Sequence, residues 1–224
     1  MSLLTLTLEN DIAHIHLDDG KANALSFDML AVIHEALDTA EAEANAILLS
    51  GRAGRFCAGF DLTVMREGPE KANDLVNRGG HLLLRLFENK LPTVIACTGH
   101  ALAAGGLMLL SADTRIGVQG DFKIGLNETA IGMVLPTFGI EFPRARLAQD
   151  HFTAAVIQAR AHSPDEAVVA GFLDQAVEEN DLMETAMAAA SALGQLPQKA
   201  YHGNKMLIRK PAIDVIRASL APID

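Results

Sequence analysis

Two turns made of small residues follow buried strands, and each turn could present backbone N–H groups to a ligand. The apolar, β-branched run 93–97 is typical of a buried strand, and the mostly small residues 101–106 connect it to the helix-forming run 107–110. The start of a helix exposes unpaired N–H groups, and small side chains let a ligand approach them. Tight packing of helix on strand requires small residues too, so both interpretations stay open here.

A second corner of this kind follows the strand-like run 46–51. The chain there turns through Ala58 and Gly59, and Asp61 is placed to cap the helix that follows. Two such corners can each give one backbone N–H to a single oxygen atom, and a pair of converging amides is an oxyanion hole.

Glu128 is the carboxylate whose neighbours indicate chemistry. Apolar residues flank it on both sides, so burial should raise its pKa, which suits a general base or acid. A buried glutamate with a structural partner is the alternative, and from the residues alone it is the commoner case.

Strands and helices must hold these residues in place. Alternating apolar positions predict a hairpin over 4–17, and Ser26 is expected to cap a helix with positions 30, 33, 37 and 40 on its inner face. His14 and His16 share a strand face without a third metal ligand, so we expect solvated residues and no metal site. Further helices are expected at 70–89, which contains Gly79-Gly80, at 138–159, and from Ser163-Pro164 to Gly171. Short strands are expected at 114–118, 122–124 and 172–177. The C-terminal part is expected to form helices at 182–193, 198–210 and 212–220. Arg144 and Arg146 are expected to form salt bridges.

Composition excludes several classes of function. The 224 residues are half hydrophobic, the net charge is −10 and aromatics make up 4%, so nucleic-acid binding is not expected. Cys57 and Cys97 lie in apolar runs and are interpreted as free core thiols. No apolar run approaches about 18 residues and no secretory signal is evident, so we expect no membrane span and a cytoplasmic protein.

Three motifs together resemble the crotonase family, the enoyl-CoA hydratases and isomerases. They are FCAGFDL at 56–62, GHALAAGGLMLLSADTRIG at 99–117 and NETAIGMVLP at 127–136. Their order and separations match the family pattern. The resemblance implies an α/β fold, a crotonase-like spiral of ββα repeats with the acyl-CoA site over 1–175, and a helical C-terminal oligomerisation region over 176–224. It also implies a homotrimer or hexamer, with coenzyme A as part of the substrate and no separate cofactor.

The resemblance also implies roles for single residues. The backbone N–H groups of Ala58 and Ala104 would hold the thioester oxygen, and Glu128 would move a proton next to it. The residues implied to bind substrate are Ala22, Ala24, Ala58, Phe60, Asp61, Leu62, Ala104 and Leu107.

This sequence departs from the family pattern at Leu107. Hydratases of the family use two glutamates, of which one aligns with Leu107 and the other with Glu128. A lone carboxylate in an apolar pocket suits proton transfer between carbons, so we expect an enoyl-CoA isomerase. An enoyl-CoA hydratase and a non-catalytic acyl-CoA binder are the alternatives. A dinucleotide-dependent oxidoreductase is disfavoured, because residues 51–54 lack the further glycine of the phosphate-binding motif.

Overall fold

The structure is a computed structural model that describes residues 2–223. Its strands are β1 (Leu4–Glu9), β2 (Ile12–Leu17), β3 (Ala46–Gly51), β4 (Gly54–Cys57), β5 (Thr93–Cys97), β6 (Gly99–Leu102), β7 (Thr114–Val118), β8 (Ile124–Gly125) and β9 (Gln175–Val177). Its α-helices are α1 (Phe27–Glu43), α2 (Leu62–Met65), α3 (Pro69–Phe87), α4 (Ala104–Ser111), α5 (Thr137–Arg146), α6 (Gln149–Val156), α7 (Pro164–Ala170), α8 (Leu182–Gly194) and α9 (Gln198–Ser219).

The strands form two sheets joined by a repeating unit. Six strands lie in the order β1-β2-β3-β5-β7-β9, parallel except for the antiparallel β1-β2 hairpin. A smaller parallel sheet has the order β4-β6-β8. The chain passes from a strand of the large sheet to one of the small sheet and then to helix, three times in succession. The expected spiral of ββα repeats is confirmed, whereas the division at residue 175 stays a prediction.

Apolar side chains fill both faces of the large sheet. Helices α1, α3, α4 and α5 cover one face of the large sheet and form the main core with it. This core includes the free, buried thiols of Cys57 and Cys97. Helix α8 covers the other face with Leu182, Ala186 and Ala190. Within the described residues, no helix combines the length and the apolar character needed to cross a membrane.

Several expected helix features are confirmed. Ser26 caps α1 by accepting a hydrogen bond from the Met29 N–H at 3.2 Å. Ser163 caps α7, with Pro164 in its first turn and Gly171 in the left-handed conformation at its end. A Cβ atom on Gly79 would lie 2.2 Å from the Phe60 ring, so close packing explains the glycine pair within α3.

Other expectations are wrong for physical reasons. The helix expected over 138–159 is two helices, because the Ala148 N–H donates to the Ala170 carbonyl at 3.0 Å instead of continuing the helix. Helix α9 runs through Pro211 without ending, because the buried residues Ala212, Ile213 and Ile216 continue its packed face.

Short polar contacts also differ from expectation. His14 and His16 are not simply solvated, since both rings contact the Ser50 hydroxyl, at 2.8 and 2.9 Å. Arg144 pairs with Glu141 at 3.2 Å, as expected. Among the described residues Arg146 forms no salt bridge, because its guanidinium is directed at backbone carbonyls.

Candidate active site

The first corner is the turn that follows β4. The Ala58 N–H donates to the Ala22 carbonyl at 3.0 Å, the Leu25 N–H to the Gly59 carbonyl at 2.8 Å, and the Asp61 N–H to the Leu25 carbonyl at 3.1 Å. These bonds pair the segment after β2 with the segment after β4. The prediction that Ala58 supplies a free N–H is therefore wrong, because Ala22 already accepts it.

Phe60 provides the free donor at this corner. It lies between Gly59 and Asp61, whose backbone groups both bond to Leu25. Leu25 and Phe60 form a parallel bridge in which Leu25 bonds to the residues before and after Phe60, so the Phe60 N–H points away from Leu25. Within residues 2–223 this N–H has no backbone acceptor.

The second corner joins β6 to α4 through Ala103. The first helical hydrogen bond runs from the Leu107 N–H to the Ala103 carbonyl, at 3.0 Å, so the Ala104 N–H lies before the first donor of its helix and has no acceptor within that helix. Ala103 has φ 51° and ψ −123°, a strained conformation for a residue with a Cβ atom. Strain of this kind persists only where the surrounding structure fixes the backbone, and here it fixes the direction of the Ala104 N–H.

Glycines bring the two corners into contact. A Cβ atom on Gly59 would lie 2.8 Å from the Ala103 side chain and 3.3 Å from the Ala104 nitrogen. One on Gly105 would lie 2.1 Å from the Cys57 carbonyl oxygen. No side chain fits at either position, and the two loops can therefore lie backbone against backbone.

A cavity of about 120 Å³ opens beside this contact. The residues that line it are Ala58, Phe60, Leu62, Met65, Ala103, Asn127, Glu128, Ile131 and Met133. Apart from Asn127 and Glu128 the lining side chains are apolar. Among the described residues, Glu128 is therefore the one ionisable group in the cavity wall.

Glu128 is held at the start of a short 3₁₀-helix, Thr129–Ile131, where its carbonyl accepts a hydrogen bond from the Met133 N–H at 2.9 Å. The residue is 8% exposed, and its Oε2 atom is buried without a hydrogen-bond partner in the described structure. Burial raises the pKa of this carboxyl group, and its own backbone N–H offsets part of the rise. A carboxylate left unpaired in an apolar wall is suited to accept a proton from a bound molecule.

Among the remaining predicted substrate residues, some line this cavity and others do not; Ala104 is fully buried and lies outside the lining, while its neighbour Ala103 is part of it. Leu62 lines it and is 52% exposed, while Asp61 caps α2 by accepting a hydrogen bond from the Thr63 N–H at 2.7 Å. Leu107 is fully buried in the core and does not line the cavity. Ala22 and Ala24 also lie outside the lining, on the partly buried segment that pairs with the first corner.

Sequence reasoning missed five lining residues, namely Met65, Ala103, Asn127, Ile131 and Met133. Asn127 is the notable one, because its Oδ1 atom is buried and unpartnered beside Glu128. Its position next to Glu128 in the motif was the available signal.

The comparisons with known proteins agree on one family. The family model described as enoyl-CoA hydratase/isomerase matches residues 7–219. The human protein enoyl-CoA delta isomerase 1, mitochondrial, is 31% identical over 193 residues, which cover 84% of this chain and 64% of the human protein. The chain thus matches less than two thirds of that relative's length.

Solved structures are similar over nearly the whole chain. An enoyl-CoA hydratase/isomerase family protein from Pseudomonas syringae superposes with a TM-score of 0.95 at 39% identity, covering 97% of this chain and 95% of that one. An enoyl-CoA hydratase from Mycobacterium marinum superposes with a TM-score of 0.94 at 33% identity, covering 98% and 96%. The human mitochondrial delta3-delta2-enoyl-CoA isomerase superposes with a TM-score of 0.92 at 26% identity, covering 97% and 87%, so a relative described as an isomerase and one described as a hydratase share this fold.

Proposed function

This chain belongs to the enoyl-CoA hydratase/isomerase family, and we propose that it is an enoyl-CoA isomerase that uses Glu128 as its single proton carrier. The observation that supports the proposal most strongly is the cavity wall, where Glu128 is the one ionisable side chain among the described residues. A reaction that needs one proton moved from carbon to carbon needs one such group.

The backbone supplies the second half of the proposed chemistry. The Phe60 and Ala104 N–H groups would hold the thioester oxygen between the two corners, with Phe60 replacing Ala58 in the assignment made from sequence. Negative charge on that oxygen rises only when the α-proton leaves, so two fixed dipoles stabilise the transition state more than the bound substrate.

The proton transfer then balances within the site. The Glu128 carboxylate removes a proton from C2 of a 3-enoyl-CoA, and the electron pair of that C–H bond delocalises onto the thioester oxygen as a dienolate. Glu128, now protonated, returns the proton to C4. The double bond moves from C3–C4 to C2–C3, and the carboxylate is regenerated for the next turnover.

Hydration is the second candidate, and the identity of Leu107 argues against it. Adding water requires a group that orients and activates a water molecule, a task that family hydratases give to two glutamates. Leu107 occupies one of those positions here and is fully buried among core side chains. The cavity wall thus offers one carboxylate and no second one within the described residues.

Parallel assays of the purified protein test this choice. One assay follows conversion of a 3-enoyl-CoA to the conjugated 2-enoyl-CoA by ultraviolet absorbance, and the other follows loss of that absorbance as a 2-enoyl-CoA is hydrated. We expect isomerisation to be the faster reaction. Rapid hydration without isomerisation would overturn the proposal, and binding of the thioester without either reaction would identify an acyl-CoA binder.

Oligomerisation is proposed from the surface of α9. Leu207, Ile208 and Val215 are 74%, 80% and 47% exposed, and large apolar side chains this exposed are typical of an interface. A trimer or hexamer built through the C-terminal region would cover them. The cytoplasmic location stays a prediction, and the human relative is described as mitochondrial.

A further inference from the structure

A group of buried charges surrounds Asp113, at the opposite end of α4 from Ala104. Lys205 Nζ lies 2.6 Å from Asp113 Oδ2, and Arg209 Nη2 lies 2.8 Å from Asp113 Oδ1. The side chains of Lys205, Arg209 and Asp113 are 4%, 9% and 7% exposed. Asp113 Oδ2 also accepts the Thr93 N–H at 2.9 Å. Both carboxylate oxygens are thus occupied.

Arg146 is a third cation in this group, and it lacks a carboxylate partner among the described residues. Its Nη2 atom donates to the Ala112 and Asp113 carbonyls, at 2.8 and 3.0 Å. Its Nε atom is buried without any partner, and its Nη1 atom makes no hydrogen bond within the described residues. Burial, together with the charges of Arg115 and Arg209, lowers the pKa of Arg146 to about 9.

Positive charge exceeds negative charge in this group. Asp113 balances one of the three cations. The carbonyl ends of α3 and α4 accept hydrogen bonds from Arg209 and Arg146, and each helix end carries roughly half a negative charge. One positive charge is left over, because the other acidic residues close to Arg146, Asp174 and Glu141, pair with Arg115 and Arg144. A partly buried cation without a counter-charge is unfavourable.

An open pocket of about 310 Å³ lies directly against these cations. Polar groups in its wall come from Asp113, Arg146, Tyr201, Asn204, Lys205 and Arg209, and both oxygens of the Asp113 carboxylate are already paired with Lys205 and Arg209. The guanidinium fork of Arg146 matches the planar oxygen pairs of carboxylates and phosphates. We propose that this pocket binds a small oxyanion, a phosphate or a carboxylate, against Arg146 and Arg209, separately from the Glu128 cavity.

Anion titrations of the full chain test this proposal. Inorganic phosphate is titrated into the protein by calorimetry, with acetate as a second arm that distinguishes phosphate from carboxylate. Thermal unfolding is followed in phosphate and in chloride at equal ionic strength. We expect saturable binding of at least one anion and a rise in Tm of about 2–4 °C near saturation.

Two variants separate a specific site from a general salt effect, since phosphate also stabilises folded proteins non-specifically. Arg146→Met should abolish the saturable component. Arg144→Met is the matched control, because Arg144 lies on the same helical turn with a 60% exposed side chain already paired to Glu141, and it should keep that component. Arg146→Lys keeps the charge without the fork, and it should weaken binding several-fold even if the methionine variant does not fold.

Three outcomes would overturn the proposal. The first is the absence of saturable binding of either anion to the wild-type protein. The second is equal loss of the Tm rise in the Arg144 and Arg146 methionine variants. The third combines two results: the wild-type protein binds no anion, and Arg146→Met sediments with a different mass from the wild type. Together they would show that a carboxylate of a second copy neutralises Arg146.

Discussion

Asp113 and Glu128 are both carboxylates with little exposed side chain, and they differ in what surrounds them. Asp113 accepts hydrogen bonds from Thr93, Lys205 and Arg209 near the C-terminal end of α4. Glu128 has one buried oxygen with no partner, in a cavity next to the start of the same helix. A carboxylate whose partners are supplied can stabilise the fold, whereas one without partners is suited to the proton transfer proposed for Glu128.

The largest effect is expected from Asp113→Asn. The change leaves Lys205 and Arg209 buried without their counter-charge, and removing one partner of a buried ion pair typically destabilises a protein by about 3–5 kcal/mol. Urea unfolding measures the loss. Asp150→Asn is the control, since that side chain is 83% exposed and its change should stay within about 0.5 kcal/mol. Equal stability of the two variants would contradict the structural role given to Asp113.

Glu128→Gln should have the opposite effect to Asp113→Asn, with a loss of activity and no loss of stability. Turnover of a 3-enoyl-CoA should fall about 100-fold or more, because the amide cannot accept the proton, while CoA-thioester affinity stays near the wild-type value. The free energy of unfolding at pH 7 should rise by about 1 kcal/mol, because a buried charge without a partner is removed. Unchanged turnover would exclude Glu128 as the proton carrier.

Comparing the wild-type protein with Glu128→Gln at different pH values tests the direction in which the pKa of Glu128 is shifted. Burial raises the folded-state pKa of Glu128 above its ordinary value of 4.5, so the folded wild-type protein holds this proton more tightly than the unfolded chain does. The stability advantage of Glu128→Gln should therefore be absent at the acidic end and grow as pH rises through the folded-state pKa. The same ionisation should also appear as the acidic limb of the kcat/KM profile, with activity that falls on acidification at a pH above 4.5.

The features that the sequence predicted depend on residues that act locally. Helix caps such as Ser26 and Ser163 depend on neighbours a few positions away, and the buried strands β3 and β5 are continuous apolar runs. Glu128 was identified by its apolar neighbours and the motif around it. All of these signals lie within a few residues of the feature they predict.

Features that depend on distant partners were not predicted. The free N–H at the first corner belongs to Phe60 and not to Ala58, because Ala22, remote in sequence, accepts the Ala58 bond. Strands β4 and β6 have only four residues each and exist through pairing with each other, so no periodic pattern reveals them, and β8 was expected at 122–124 but lies at Ile124–Gly125. The unpaired state of Arg146 likewise depends on which acidic residues the fold places near it.

Gly79→Ala tests the wall of the Glu128 cavity without touching the Asp113 group. The new methyl group would meet the Phe60 ring, 2.2 Å away at present, and displace it towards the cavity. We expect kcat/KM to fall by roughly 3–10-fold, equivalent to about 1 kcal/mol of binding or alignment. Gly203→Ala in α9 is the control, because its Cβ would meet nothing within 4 Å, and it should gain about 0.5–1 kcal/mol of stability with unchanged activity. Equal activity of both variants would show that the Phe60 ring does not shape the site.

Ala103→Gly should have the smallest effect on activity. It changes the start of α4 next to the Glu128 cavity and leaves the Asp113 end of that helix unchanged. Glycine adopts the positive φ of residue 103 without strain, which stabilises the folded state, but it also adds conformational entropy to the unfolded chain. We expect the first effect to be larger, so the free energy of unfolding should rise by about 0.5–1 kcal/mol. Ala159→Gly relieves a similar positive φ of 53° outside the cavity lining, and it should stabilise the protein to a comparable degree. Only Ala103→Gly should lower kcat, by roughly 2–5-fold, since the Ala104 N–H is then held less rigidly for the thioester oxygen. If both variants are more stable and equally active, strain at Ala103 serves packing of the turn and not the alignment of that donor.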